Sequence, residues 1–118
     1  MSMKEYSLLD VTVNGNRAVI SFMEPVTKEN FSNYKTELLD LLGEDIEFPI
    51  VKLDQEGGLT PYCLKLLISF QTSIEKENLV AGLILDGQSQ DFFDKIGLSR
   101  IFASGDNEEF VFEKMKEF

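Results

Sequence analysis

The residues that could do chemistry in this chain are few, and they gather between residues 51 and 63. They are the carboxylates Asp54 and Glu56, the hydroxyl of Thr60 and the thiol of Cys63, the single cysteine of the chain. Carboxylate and hydroxyl oxygens could hold Mg²⁺, and a thiol at a helix N-terminus could be a nucleophile because its pKa tends to fall there. The chain has no histidine to activate that thiol. We therefore favour a buried structural role for Cys63 and solvated side chains for the two acids.

Two other groups could form sites, and ordinary structural roles are expected for both. Gly57-Gly58 could cradle a phosphate, but the chain has neither Gly-x-x-x-x-Gly-Lys nor Gly-x-Gly-x-x-Gly, so a flexible turn is favoured. Phe92 and Phe93 could form an exposed docking patch, although adjacent aromatic residues at a helix start more often pack into the core. The sequence therefore predicts no catalytic residue, no metal ligand and no cofactor, and a non-enzymatic role.

Length and charge restrict the classes of function. The chain has 118 residues, which predicts one domain spanning residues 1–118. A net charge of −10 opposes nucleic-acid binding and would be repelled by an anionic membrane, whereas a protein partner with a basic face would associate faster. The longest apolar run, residues 79–85, is far shorter than a transmembrane helix requires. With no secretory signal at the start and one cysteine, a cytoplasmic protein is expected.

A hairpin and a helix are predicted in the first third of the chain. β-forming residues at 7–13 and 18–23 flank Asn14-Gly15-Asn16, a strong signal for a tight antiparallel turn. The second of these strands is apolar almost throughout, so a central place in the sheet is expected. A first helix is predicted from an N-cap at Thr27 to a C-terminal Gly43. Its apolar face consists of Phe31, Tyr34, Leu38, Leu41 and Leu42.

A strand, a buried helix and a second strand are predicted next. The strand covers residues 49–53, and Thr60 then caps a helix that has Pro61 at its first position. This helix is apolar on most of its circumference, so burial against the sheet and a neighbour is expected. Residues 79–85 read as a parallel strand covered on both faces.

The remaining residues predict two short helices and an edge segment. Ser89 is the expected cap of a helix that ends at Gly97, with Phe92, Phe93 and Ile96 as its apolar face. Residues 100–102 are predicted as a short edge segment and residues 104–107 as a turn. A last helix follows, with Val111, Met115 and Phe118 on one face. The predicted fold class is α/β, with a mixed sheet of four to five strands and helices packed on it.

This order of elements, and three segments within it, resemble STAS domains, the fold of the bacterial anti-sigma-factor antagonists. Residues 16–25 are similar to the family's second strand and the turn into its first helix. Val51-Lys52-Leu53-Asp54 resembles its strand ending in Leu-Asp, and residues 96–102, Ile-Gly-Leu-Ser-Arg-Ile-Phe, resemble its closing Thr-Gly-Leu-Asp-Arg-Leu-Phe. The resemblance extends from Val11 to the C-terminus. It implies a STAS-like fold and a protein partner.

The sequence departs from the family where a regulatory serine is expected. The family's helix two starts with Asp-Ser-Ser-Gly-Leu, and one of these serines is phosphorylated by the anti-sigma kinase. With Leu64 at the final leucine, Thr60 takes the aspartate position and Pro61-Tyr62 take the places of the two serines. The phosphoacceptor is thus missing. Thr60 is the nearest hydroxyl and a possible phosphosite, although an N-cap role is favoured.

The resemblance implies docking onto an anti-sigma factor or a kinase-like regulator in a bacterial partner-switching pathway, without serine phosphorylation. The expected partner-binding residues lie on the loop before helix two, on the start of that helix and on the loop after the next strand. They are Gln55, Glu56, Gly57, Gly58, Thr60, Tyr62, Lys65, Asp86 and Gly87. Two alternatives remain open: a structural STAS subunit of a transport or chemosensory complex, and a small-molecule or nucleotide sensor. A homodimer through exposed strands or the last helix is also open.

Overall fold

A computed structural model of the chain describes residues 8–42, 45–53 and 60–118. Strands and helices alternate along most of it. The strands are β1 (Leu9–Asn14), β2 (Arg17–Phe22), β3 (Phe48–Leu53), β4 (Gly82–Leu85) and β5 (Ala103–Gly105). The helices are α1 (Phe31–Leu42), α2 (Pro61–Glu75), α3 (Gly87–Lys95) and α4 (Glu108–Met115), and a 3₁₀ turn covers Leu98–Arg100.

The described strands form one mixed sheet in the order β1-β2-β3-β4-β5. β1 and β2 are antiparallel and are joined by a two-residue turn, in which Gly15 has a φ of +66°. The pairs β2–β3, β3–β4 and β4–β5 are all parallel. The predicted α/β class, the opening hairpin, the central place of β2 and the parallel β3 and β4 are therefore confirmed.

Each face of the sheet has its own apolar core. Ala18, Ile20, Val51 and Leu83 point to one face, where they join buried residues of α1, α2 and α3. On the other face Ile50, Ile84 and Ala103 pack against Val111 and Met115 of α4. The alternation of side chains along β3 explains how one strand contributes Ile50 to one core and Val51 to the other. The sheet is thus sandwiched, with α4 alone among the described helices on the second face.

Two glycines let α4 lie close to the sheet. A Cβ atom added to Gly82 would come within 2.6 Å of both the Met115 sulfur and a Val111 methyl group. One added to Gly105 would clash with the Phe110 ring. Glycine at both positions therefore lets α4 pack directly on the backbones of β4 and β5 without displacing these side chains.

The start of β4 is held by a side chain of α2. The predicted strand began at residue 79, but the paired strand begins at Gly82. Gln71, which is buried, donates from Nε2 to the Leu79 carbonyl over 3.4 Å and accepts the Ala81 N–H at Oε1 over 2.8 Å. The carboxamide thus supplies residues 79–81 with the hydrogen bonds that a neighbouring strand would otherwise provide.

Two predicted helix starts are wrong. α1 begins at Phe31 rather than just after Thr27, since Thr27 and Asn30 exchange hydrogen bonds in the turn ahead of it (2.7 and 3.4 Å). α3 begins at Gly87, and its cap is Asp86 rather than Ser89: Asp86 Oδ1 accepts the Ser89 N–H over 2.7 Å. The predicted C-terminal Gly43 of the first helix lies outside the described residues.

The predictions for residues 100–107 are also corrected. The edge strand is Ala103–Gly105, so it takes up part of the predicted turn, and residues 98–100 form a 3₁₀ turn instead. Gly97, with a φ of +80°, does end the helical segment as predicted. The left-handed conformation at Gly97 redirects the chain, and the strand starts only where it reaches β4.

Three predicted apolar faces are partly wrong as well. Phe93 is buried, but Phe92 and Ile96 are exposed. Ile68 of α2 is exposed, so this helix is buried on fewer sides than its composition predicts, and Phe118 lies beyond the end of α4 in contact with solvent. Within the described ranges, no helix is long and apolar enough to cross a membrane.

Candidate docking surface

The carboxyl ends of the parallel strands bring several of the predicted site residues to one edge of the sheet. The register pairs Leu53 with Leu85 and Ile84 with Gly105, so β3, β4 and β5 end side by side. The helices that follow β3 and β4 therefore start at this edge. We call it the carboxyl edge; in open α/β sheets it is the usual place for binding sites.

Thr60 is fixed at the tip of α2 by two hydrogen bonds of its hydroxyl group. Oγ1 accepts the Cys63 N–H over 3.0 Å, which is the N-cap interaction predicted from the sequence. The same hydroxyl donates to the Val26 carbonyl over 2.9 Å, across 34 positions of sequence. Thr60 thus caps α2 and ties it to the segment that follows β2.

Cys63 faces the core, one turn into the helix. Its side chain is fully buried, and this burial raises the pKa of the thiol to about 12, although a hydrogen bond between the thiol and the Thr60 backbone opposes the shift. The thiol is therefore protonated near neutral pH and inaccessible. The structural role favoured from the sequence fits this environment, and the nucleophile alternative does not.

Tyr62 and Lys65 project from the outer side of the same first turns. The Tyr62 residue is 36% exposed, and Lys65 Nζ lies 5.9 Å from the centre of its ring, within the range of a cation–π contact. Ile68 continues this exposed side by one more turn. Of these three side chains, tyrosine is the type that is enriched at protein interfaces.

Asp86 and Gly87 lie at the start of α3 on the same edge. Asp86 is used as the helix cap, so one of its carboxylate oxygens is held against the backbone. Gly87 has open space where a Cβ atom would stand. Asp86 adds negative charge to the edge, and Gly87 leaves room for an approaching backbone. Four other predicted site residues, Gln55, Glu56, Gly57 and Gly58, lie outside the described residues.

The sequence analysis missed the contribution of the segment after β2. Met23 is 65% exposed immediately after β2. Glu24, the next residue, accepts a hydrogen bond at Oε1 from Asn30 Nδ2 over 3.0 Å. Ser21 pairs with Lys52 near the end of the parallel β2–β3 ladder, which places this segment at the carboxyl edge. No local signal in the sequence indicated this role, because the exposure of Met23 and its place at the carboxyl edge depend on the pairing of β2 with β3.

The described part of the carboxyl edge contains no cluster of metal-binding side chains. In residues 8–42, 45–53 and 60–118 no group of three or more His, Cys, Asp or Glu side chains is placed to hold a metal ion. Glu24, Asp86 and Asp106 place exposed carboxylates at this edge, and Lys65 places an exposed ammonium group there. The surface thus combines apolar side chains with charged ones.

Comparison with known proteins identifies the fold. No protein-family model matches the sequence, and no curated protein matches it. An anti-sigma factor antagonist from Mycobacterium paratuberculosis superimposes with a TM-score of 0.74 at 14% identity, over 92% of each chain. The protein TM1081 gives a TM-score of 0.80 at 12% identity, over 100% of this chain and 96% of that one.

A third solved structure extends the comparison to a phosphorylated protein. The Bacillus cell fate determinant SpoIIAA in its phosphorylated form gives a TM-score of 0.62 at 12% identity, over 90% of this chain and 97% of that one. The chain therefore has the STAS fold of the anti-sigma-factor antagonists, as the three segments predicted. At these identities the likeness concerns the fold.

Proposed function

We propose that this chain is a non-enzymatic docking domain of the anti-sigma-factor-antagonist type, acting in a bacterial cytoplasm. Its partner would be an anti-sigma factor or a related kinase-like regulator, bound at the carboxyl edge. The contact residues would be Thr60, Tyr62 and Lys65 on α2 with Asp86 and Gly87 at the start of α3. The segment from Gln55 to Gly58 would join them, as predicted from the sequence.

The observation that carries the proposal is the hydroxyl of Thr60. The hydroxyl donates a hydrogen bond to the Val26 carbonyl and accepts one from the Cys63 N–H. A phosphoryl group on Oγ1 would remove the donated proton and set oxygen acceptors against the Val26 carbonyl. Because Pro61 and Tyr62 replace the family's serines, the proposed docking would not be switched off by phosphorylation at the start of α2.

The electrostatics support a partner with a basic face. The chain carries a net charge of −10, and exposed carboxylates border the apolar side chains of the carboxyl edge. Complementary charge raises the association rate more than the final affinity. We therefore expect the association rate to fall as the salt concentration rises.

Affinity capture from a lysate of the source organism, followed by mass spectrometry, tests the proposed partner class. The captured regulator would then be titrated by calorimetry against wild type, Tyr62→Ala and the control Phe118→Ala. Tyr62→Ala is expected to weaken binding roughly tenfold or more, because a partly exposed aromatic residue is a typical hot spot. Phe118 is another exposed aromatic residue away from the carboxyl edge, so its replacement should change little.

Equal binding by wild type and Tyr62→Ala would contradict the proposed surface. Retrieval of transport or chemosensory subunits would instead favour the structural-subunit alternative. A separate experiment tests regulation: the protein is incubated with the captured kinase and ATP, and its intact mass is measured. Unchanged mass is expected, and stoichiometric phosphate on Thr60 would overturn this part of the proposal.

A further inference from the structure

The two edge strands of the sheet differ in how they are protected. β5 is short, and polar side chains of α3 and α4 converge on it at Ser104, which is buried. Gln90 Nε2 donates to Ser104 Oγ over 3.1 Å, and Lys114 Nζ donates to the Ser104 carbonyl over 3.4 Å. Ala103 directs its N–H to Ala81 of the β4 side, so Ser104 directs its own backbone groups outward. Lys114 thus occupies the acceptor that another strand would need.

The other edge, β1, carries no comparable protection in the part of the chain that the structure describes. It has 6 residues, without a proline or a lysine. Asn14 pairs with Arg17 across the two-residue turn, and Leu8 accepts the Met23 N–H over 2.9 Å. Hydrogen bonding alternates along an antiparallel pair. The even-numbered residues therefore bond to β2, and Leu9, Val11 and Val13 direct their N–H and C=O groups outward.

The side chains of β1 also leave apolar surface at this edge. Val13 is 55% exposed and Val11 is half-buried, on the face of the sheet that carries α1 and α2. Asp10 is the one charged residue of the strand, and it lies on the opposite face together with Thr12. A nearly uncharged edge strand with outward-directed backbone groups is a template for strand addition.

We propose that the outer edge of β1 pairs antiparallel with the same edge of a second copy of this chain, around a two-fold axis at Val11. Val11 then faces Val11 of the second copy, and Leu9 faces Val13 of the second copy. All three outward-directed residues form hydrogen-bonded pairs in this register. Asp10 lies opposite Thr12 of the second copy, which can donate its hydroxyl proton to the carboxylate, so no like charges meet.

The strength of this association follows from its size and charge. A single strand pair buries much less than the roughly 800 Å² per partner of a standard interface, so a weak, concentration-dependent dimer is expected. Each copy carries a net charge of −10, and long-range repulsion opposes association. Added salt should therefore tighten the dimer, whereas the docking proposed above should associate more slowly with salt.

Charge substitutions at Thr12 test both the edge and the register. Thr12 is exposed and its side chain makes no core contact, so Thr12→Asp and Thr12→Lys should both fold. By symmetry, each substitution acts in two close cross-strand pairs with Asp10. Sedimentation equilibrium is expected to show a dissociation constant about tenfold higher for Thr12→Asp and about tenfold lower for Thr12→Lys. Thr72→Lys, an equal charge change on α2, is the control for net charge.

Amide hydrogen exchange provides a second measurement on the unmodified chain. The amides of Val11 and Val13 should exchange more slowly as protein concentration rises, whereas those of Asp10 and Thr12 should not change. The proposal is overturned if Thr12→Lys and Thr72→Lys shift the dissociation constant equally, or if both Thr12 substitutions weaken association. It is also overturned if every variant stays monomeric and the exchange of Val11 is independent of concentration.

Discussion

At the scale of single residues, burial decides what Cys63 can do. Burial raises the pKa of the thiol from 9.0 to about 12, so the folded protein keeps it neutral where the unfolded chain begins to ionise. The free energy of unfolding should be insensitive to this group below pH 9 and should fall between pH 9 and 12. Burial also raises the pKa of Tyr34 from 10.0, which acts in the same direction.

Urea unfolding at a series of alkaline pH values measures this effect. The loss of stability above pH 9 should be smaller in Cys63→Ala than in wild type, because that variant has no thiol to ionise. Tyr34→Phe should reduce the loss separately. An identical alkaline slope for wild type and Cys63→Ala would show that the thiol is not protected as the structure indicates.

The hydroxyl of Thr60 allows a test with nearly isosteric variants. Thr60→Val keeps the shape but loses the bonds to Cys63 and Val26, and should lower the free energy of unfolding by about 1–2 kcal/mol. Thr60→Ser keeps the hydroxyl and should remain close to wild type. Chemical denaturation of the three proteins distinguishes them, and equal midpoints for all three would contradict the two observed hydrogen bonds.

The cap at Thr60 could be predicted from the sequence, but its bond to Val26 could not. A cap depends on neighbours: Pro61 follows, and the Cys63 N–H lies three residues away. The Val26 carbonyl lies 34 positions earlier, and no local pattern relates the two segments. For the same reason Met23 was missed, since its place at the carboxyl edge depends on the pairing of β2 with β3.

At the scale of elements, the end of α2 is set by a left-handed residue. Asn78 has a φ of +59°, and the Leu79 N–H bonds to the Ile74 carbonyl while the Asn78 N–H bonds to that of Glu75. This is the Schellman arrangement, in which glycine is the preferred residue and asparagine is tolerated. The turn after α2 is therefore encoded by one residue.

Glycine and alanine at position 78 should differ in their effect on stability, because Asn78 has a positive φ. Asn78→Gly should leave the free energy of unfolding equal or slightly higher, because glycine adopts a positive φ without strain. Asn78→Ala should lower it by about 1 kcal/mol. Thermal unfolding of both variants measures the difference, and a stability of Asn78→Ala equal to that of Asn78→Gly would contradict the left-handed conformation.

Helix starts were the least predictable parts of the elements. Asp86 and Ser89 are both good caps, and the sequence alone favoured Ser89. The end of β4 at Leu85 decides between them, because the chain must turn immediately to leave the sheet. Thr27 failed as the immediate cap of α1 for a similar reason: its hydrogen bonds with Asn30 close a separate turn first.

At the scale of the whole molecule, the order of elements along the chain and the mixed sheet could be predicted from the sequence, but the side on which each helix packs could not. Apolar composition predicted central and parallel strands, and the spacing of elements agreed with one known fold. The position of α4 on the second face depends on Gly82 and Gly105, whose missing side chains admit it. Gly105 was predicted in a turn, and Gly82 was predicted in a strand without any sign that a helix packs on it.

The hydrogen bonds of Gln71 have a consequence for how the protein unfolds. Its carboxamide connects the last part of α2 to the backbone that leads into β4. If α2 separated from the sheet, the buried Ala81 N–H and the partly buried Leu79 carbonyl would both lose their partner, which is costly for a buried group. Partial unwinding that begins at Tyr62 should therefore stop before Gln71, and the last turn of the helix should remain cooperative with the middle of the sheet.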